Sequence, residues 1–389
     1  METPVVGVVG AGQLARMLQE AAIALGVPLR LLAETADAAA AQVIPDTTVG
    51  DYTDLDVLRR WAAGCAVVTF DHEHVPSGHL EALGKHGIAC RPGPAALVHA
   101  QDKIAMRSRL SELGVPCPRH AVATTASDVA RFAAAGGGFP VVVKAARGGY
   151  DGRGVWFVED ERQAGVILAA IGDQAPVLVE ERVAFRRELS AVVARAPSGQ
   201  QAAYCVVESV QRNGICVEVV APAPGLGPAT AIAAQRIAMQ VAAALDVTGV
   251  LAVELFETDA GEVLVNELAM RPHNTGHWSI DGAVTSQFEN HLRAVLDLPL
   301  GAPHARTPWT VMVNILGGVA ATLFDGYPHV QAHDPRLKVH LYGKTVTTGR
   351  KVGHVTAYGD DLADVRERAR HAAGWFEGSV AEEPADRKG

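Results

Sequence analysis

Apolar runs and amphipathic stretches alternate along the first hundred residues. Val5 to Val9 is an unbroken apolar run of strand length, and residues 10–26 open on glycines and continue with helical apolar spacing. PLRLLA (28–33) is extended again, residues 53–63 are helical, AVVTF (66–70) is a strand, and a short helix near 77–85 leads to IAC (88–90). Strand and helix in alternation predict a parallel sheet wrapped by helices. That unit ends near the turn RPGPAA, residues 91–96.

From about Gln101 to Pro299 the pattern changes. A helix over 102–113 precedes strands in FPVVVKAA (139–146) and GVWFVED (154–160), a helix near 161–171 and a strand in PVLVEERV (176–183). The text from Arg187 to Ala223 predicts antiparallel strands, joined by a Ser-Gly turn at 198–199 and an Asn-Gly turn at 213–214. Residues 229–247 form a long amphipathic helix, residues 249–271 a hairpin turning at Asp259–Gly261, and a helix near 284–296 closes the block. Strand-like WTVMVNIL, LKVHLYG and GHVTAYG follow, then a helix near 361–373 and a polar tail.

At 389 residues the chain is long enough for two or three domains, and its 49% hydrophobic and 20% charged content makes it globular. A net charge of −9 leaves no basic footprint for nucleic acid. The five cysteines form no CxxC pair and leave an odd count, which argues against a disulfide scaffold. No apolar run is long enough to span a membrane and no secretory leader pattern opens the chain, so a cytoplasmic protein is expected.

Several stretches bear on chemistry. Gly10-Ala11-Gly12-Gln13-Leu14-Ala15 fits a dinucleotide fingerprint, with Glu34 where a ribose-binding acid would lie, or simply a tight turn. Arg147-Gly-Gly-Tyr-Asp-Gly-Arg-Gly154 suits a loop laid over phosphates, yet it carries Tyr150 and Asp151. Alternation puts Glu254 on the face of Val250, Ala252 and Phe256, opposite or one place from Glu267. Facing acids weaken a hairpin; a divalent cation between them reverses the sign, and hard oxygens suit Mg²⁺ that also holds phosphate. Asn266 offers one more oxygen. A solvent-facing pair, or a salt bridge to Arg271, are the alternatives. Lys144, ending a strand before the glycine loop, can meet phosphate, and Lys103 opens a helix; a solvated charge is the alternative for each, while the extended text at 179–183 with Glu188 beyond it suits an adenine edge and ribose hydroxyls. NELAMRPHNTGHW (266–278) gathers Arg271, His273, Asn274 and His277, while Lys344, Arg350 and Lys351 among glycines read as an anion site or as a basic surface hairpin.

GGYDGRG, NELAMRPHNTGHW and GRKVGH, supported by GAGQLARML, RELSAVVAR and SQFENHLRAVLDLPLG, resemble the ATP-grasp superfamily, and within it the 5-(carboxyamino)imidazole ribonucleotide synthases of purine biosynthesis. The resemblance runs from about residue 5 to 357. It implies a mixed α/β fold: a Rossmann-like parallel-sheet domain over 1–98, an ATP-grasp domain over 99–300 with a lid at about 117–186, a small β-rich domain over 301–378 and a tail over 379–389. It also implies carboxylation of 5-aminoimidazole ribonucleotide with ATP and bicarbonate, through carboxyphosphate, in a cytoplasmic homodimer. Lys103, Lys144, the loop with Gly149, Gly152, Arg153 and Gly154, Glu180, Glu181, Val183, Glu188 and Gln211 would hold ATP. Glu254 and Glu267, with Asn266 beside them, would carry Mg²⁺ (or Mn²⁺). Tyr150, Asp151, Arg153, Arg271, His273, Asn274, Lys344, Arg350 and Lys351 would surround the aminoimidazole nucleotide and bicarbonate, with Asp151 facing the amine. This chain departs from the family's usual text at Asp71-His72-Glu73-His74, Lys103, Ala145-Ala146 and Gln211. A sister ligase that activates formate or an amino acid, an NAD-dependent dehydrogenase and a non-catalytic nucleotide sensor are the competing readings.

Overall fold

The computed structural model describes residues 3–149, 153–172, 175–319 and 322–380. Its first sheet has five parallel strands in the order Asp46–Val49, Leu29–Ala33, Val6–Val9, Val67–Phe70, Ala89–Cys90. Val6, Val8 and Val9 are buried, which is why this strand is apolar on both faces. The edge strand Asp46–Val49 was not expected; its Asp-Thr-Thr-Val is largely exposed and carries no apolar signature.

A second sheet of four antiparallel strands runs His120–Ala123, Val177–Glu181, Val141–Ala145, Val155–Val158. Helices Ala126–Ala134 and Glu161–Ile171 cover it, and Val129, Phe132, Val143, Val158 and Val179 form a small core of their own. The first of these helices also escapes the hydrophobic pattern, although Thr125 and Asp128 close a capping box at its start.

The third sheet has nine strands and is antiparallel throughout. Its path is Val263–Ala269, Gly249–Thr258, Phe185–Arg195, Val207–Arg212, Ile215–Ala221, Trp309–Leu316, Lys351–Gly359, Lys338–Leu341, with Gln201–Ala203 beside Phe185–Arg195. Strands from both sides of residue 300 therefore share one ladder. Leu251, Val253 and Leu255 point to one core with helix Pro228–Ala244; Val250 and Ala252 point to another. Helix Leu362–Glu377 buries Val365, Ala369, Ala373 and Phe376 against the far end. Val365 and Phe376 each contribute roughly 1.5–3 kcal/mol by leaving water. All five cysteines are free thiols, and among the described residues no helix is long and apolar enough to cross a membrane.

Candidate active site

A cleft of about 1690 Å³ opens between the three sheets. One wall begins at the hairpin 249–269. Its register pairs Glu254 directly with Glu267, then shifts so that Leu255 faces Val265. Asn266 is the extra residue of that bulge. The bulge turns the amide of Asn266 toward Lys144, whose Nζ donates to its Oδ1 at 2.9 Å, and leaves the carbonyls of Val265 and Asn266 to accept from the Arg107 guanidinium at 2.6 and 2.9 Å.

Those cations meet buried acids. Lys144 Nζ lies 2.7 Å from Glu180 Oε2 and Arg107 Nη2 2.5 Å from Glu180 Oε1, with all three side chains almost wholly enclosed. Lys103 Nζ sits 2.5 Å from Glu267 Oε1. Lys103 and Arg107 are four apart on helix Lys103–Glu112, hence on one face. Asp102 caps that helix, accepting from the N–H groups of Ile104 and Ala105.

The two facing carboxylates are electrostatically unequal. Burial favours a neutral Glu267, but Lys103 and Lys144 outweigh it and hold its carboxyl below the usual range. Glu254 has no comparable partner; burial, then Glu267 and Glu188, push it up to about 8. Burial also lifts Glu188 to about 7. His273 faces Glu254 with Nε2 3.3 Å from Oε1. Burial, with Arg271 and Lys351 nearby, keeps that imidazole well below its ordinary pKa and neutral. The N–H of Thr275 donates to His273 Nδ1 at 3.4 Å, which leaves the proton on Nε2, aimed at Glu254.

The sequence-derived residues gather unevenly. Lys103, Lys144, Gly149, Arg153, Glu180, Glu181, Val183, Glu188, Gln211, Glu254, Asn266, Glu267, Arg271, His273, Asn274 and Lys351 all line the cleft. Tyr150, Asp151 and Gly152 lie outside the described residues. Gly154 closes the loop with φ +73°, its carbonyl accepting from Ala145 N–H at 2.9 Å, and a Cβ on Gly149 would meet the Arg153 carbonyl oxygen at 2.5 Å. Glu180 spends its carboxylate on Lys144 and Arg107, so it positions cations. Glu181 accepts from Arg119 N–H at 2.8 Å, and Gln211 donates to Ser209 Oγ at 2.8 Å. Asn274 exchanges two amide hydrogen bonds, 2.9 and 2.8 Å, with buried Asn314. Lys344 and Arg350 are not in the cleft wall: Lys344 hydrogen-bonds Gln13, and exposed Arg350 donates to Thr345 O at 3.4 Å.

Other participants were not read from the sequence. Arg107 carries no motif of its own; its four-residue spacing from Lys103 was the available signal. Glu73 accepts from Met270 N–H and pairs with Arg271 Nε at 3.4 Å, fixing the start of the 271–278 segment. Phe157 and Arg182 line the opposite lip, with the guanidinium 5.6 Å from the ring centroid.

The first glycine turn is explained without a dinucleotide. Asp71 accepts from Gly12 N–H at 3.0 Å and Ala15 N–H at 2.7 Å, so a carboxylate already fills the anion position at the start of helix Gln13–Leu25. A Cβ on Gly12 would collide with that carboxylate at 2.4 Å. Glu34 pairs with His72 at 3.4 Å.

Comparison with known proteins agrees with this geometry. Three family models match in chain order: a ribonucleotide synthetase preATP-grasp domain over 1–101, an ATP-grasp domain over 108–288 and a phosphoribosylaminoimidazole carboxylase C-terminal domain over 310–368. The N5-carboxyaminoimidazole ribonucleotide synthase of Mycobacterium tuberculosis is 56% identical, over 96% of this chain and 88% of its own. A crystal structure of N5-carboxyaminoimidazole ribonucleotide synthetase from Thermus thermophilus superimposes with TM-score 0.85 at 36% identity, covering 98% of this chain and 100% of that one. One of N5-carboxyaminoimidazole synthase from Aspergillus clavatus, in complex with ADP and 5-aminoimidazole ribonucleotide, gives TM-score 0.87 at 30% identity over 97% and 99%.

Proposed function

Since the chain belongs to the N5-carboxyaminoimidazole ribonucleotide synthase family of ATP-grasp ligases, we propose a division of labour within its cleft. The enzyme uses ATP to carboxylate the exocyclic amine of 5-aminoimidazole ribonucleotide, giving N5-carboxyaminoimidazole ribonucleotide for purine biosynthesis. The observation that carries the finer reading is the pairing of Glu254 with Glu267 inside the cleft, one acid neutralised by lysine and the other not.

Mg²⁺ (or Mn²⁺) fits that pair: two hard carboxylates face each other, with one negative charge unmatched. Glu254 and Glu267 would hold the ion, which when bound offsets charge on the phosphoryl oxygens. Lys144, kept in place by Glu180 and Asn266, and Lys103, kept by Glu267, face the triphosphate. The 149–155 loop would cover the phosphates, and Phe157, Glu181 and Val183 border the purine base. Glu188 is suited to a ribose hydroxyl, either as acceptor or, near neutrality, as donor.

Bicarbonate attacks the γ-phosphoryl group, giving carboxyphosphate and ADP. Arg271 and Lys351 offset the charge gathered on that side. Closure of the loop excludes water from the short-lived anhydride. The amine then attacks the carboxyl carbon and phosphate leaves; Asp151, with Tyr150 beside it, orients the amine and takes its proton. Neutral His273 donates to Glu254 and sets its orientation. Arg153 in the cleft wall, with Lys344 and Arg350 reaching in from outside it, would meet the nucleotide's anionic end. We further infer a homodimer in the cytoplasm, and segments 1–98, 99–300 and 301–378 with 117–186 as lid; the separate small core of the four-stranded sheet supports the last.

The test is phosphate release with ATP, bicarbonate and 5-aminoimidazole ribonucleotide each omitted in turn. Full release is expected only with all three. Release that ignores the omission of bicarbonate would overturn the carboxyphosphate route.

A further inference from the structure

Strand Trp309–Leu316 is apolar but for Thr310 and Asn314, and Asn314 is enclosed. A buried amide has to spend its donors and its acceptor. Asn314 Nδ2 donates to Cys216 O at 2.9 Å and to Asn274 Oδ1 at 2.8 Å, and its Oδ1 accepts from Asn274 Nδ2 at 2.9 Å. Asn274 lines the cleft with Arg271, His273 and Lys351, whereas Asn314 stands behind that wall.

We propose that Asn314 is a positioning residue for the carboxylation: it holds the Asn274 amide so that its one uncommitted N–H meets an oxygen of bicarbonate, or of the carboxyphosphate formed from it. This role presupposes the bicarbonate route proposed above. The two amides form a reciprocal pair, and turning both over together would preserve that pair. Cys216 forbids it. Its main-chain carbonyl can only accept, and a turned Asn314 would set Oδ1 against it. Orientation therefore passes from the Cys216 carbonyl through Asn314 to Asn274. Both Nδ2 hydrogens of Asn314 are used, and Asn274 keeps one. The main chain of Asn274 is held as well, its carbonyl accepting from His277 N–H at 3.1 Å. Arg271 and Lys351 supply charge on long flexible stems. The amide N–H supplies a fixed line of approach, which a planar anion needs if one of its oxygens is to be aimed at the phosphoryl group.

Asn314→Leu keeps the branched shape and removes all three hydrogen bonds. Steady-state phosphate release by the full chain should show the KM for bicarbonate raised roughly ten- to a hundredfold, and the KM for Mg·ATP changed by less than about twofold. Asn274→Ala should raise the KM for bicarbonate at least as far. The Asn274→Ala/Asn314→Leu double variant should be no worse than Asn274→Ala alone, because Asn314 acts only through that amide. Additive losses, an unchanged KM for bicarbonate, or an equal rise for ATP would overturn the proposal. Side-chain amide NMR of the unmutated protein tests the same point without a variant. When bicarbonate is added with a non-hydrolysable ATP analogue and Mg²⁺, the Asn274 proton not bonded to Asn314 should move most. Equal movement of all four protons of the pair, or of none, would also overturn it. Wild-type release that ignores bicarbonate would bring down the route and this role together; bicarbonate-dependent release with an indifferent Asn314→Leu would remove the positioning role alone.

Discussion

Replacing Glu254 by glutamine should make the metal-free, nucleotide-free protein more stable as the pH rises, while abolishing its chemistry. In the unfolded chain this carboxyl titrates near 4.5, and in the folded chain near 8. The folded state therefore holds the proton more tightly, and the carboxyl's support for folding is complete below about pH 4.5 and gone above about pH 8. At 1.36 kcal/mol per unit, the wild type loses about 3 kcal/mol between about pH 5.5 and pH 8.5 from this group. A quarter of the side chain meets solvent, so screening trims that figure. Glutamine has no proton to lose. Urea unfolding in chelator should show the two proteins alike near pH 5.5 and the variant ahead by about 2–3 kcal/mol near pH 8.5. A difference that stays within about 0.5 kcal/mol over the whole range would refute the reasoning. Adding Mg²⁺ with a non-hydrolysable ATP analogue should restore the wild type at high pH and do little for the variant.

Arg107→Met leaves the enclosed carboxylate of Glu180 with Lys144 alone and takes the donors from the Val265 and Asn266 carbonyls, and should cost about 3–5 kcal/mol in urea unfolding. Lys103→Met should raise the KM for ATP and bring the Glu267 carboxyl up, visible by carboxyl-carbon NMR, because burial is then less opposed. Asp71→Ala removes the cap of helix Gln13–Leu25; about 0.5–2 kcal/mol of stability should go, and calorimetry should detect no NAD binding before or after. Asp151→Asn should lower turnover far more than ATP affinity, and equal losses in steady-state kinetics would remove it from the amine step.

Much of the site was legible because charge on an apolar face demands a partner. Period two and turn position put Glu254 on the face of Val250, Ala252 and Phe256, opposite Glu267 or one place from it; the structure makes the two direct partners. What the pattern could not give was the bulge. One extra residue at Asn266 redirects that amide to Lys144, and no local rule marks it. Arg107 and Glu73 were missed for a related reason: both act on backbone carbonyls or amides more than 150 residues away, contacts that leave no periodic trace. The first glycine turn shows the reverse failure. Its fingerprint is genuine local geometry, but the acid that fills it comes from the end of another strand. In the fold, apolar runs announced the buried strands, whereas polar Asp46–Val49 escaped because an exposed edge needs no apolar face.

The shared ladder of the third sheet has a practical outcome for anyone cutting the gene. Ending the chain near residue 300 would strip Trp309–Leu316 from Ile215–Ala221, baring main-chain groups at Glu218, Val219, Val220 and Ala221. The same cut would deprive enclosed Glu218 of Arg366 and Arg370. Such a fragment would carry a sticky hydrophobic rim beside an orphaned anion, and insolubility on expression is its expected fate.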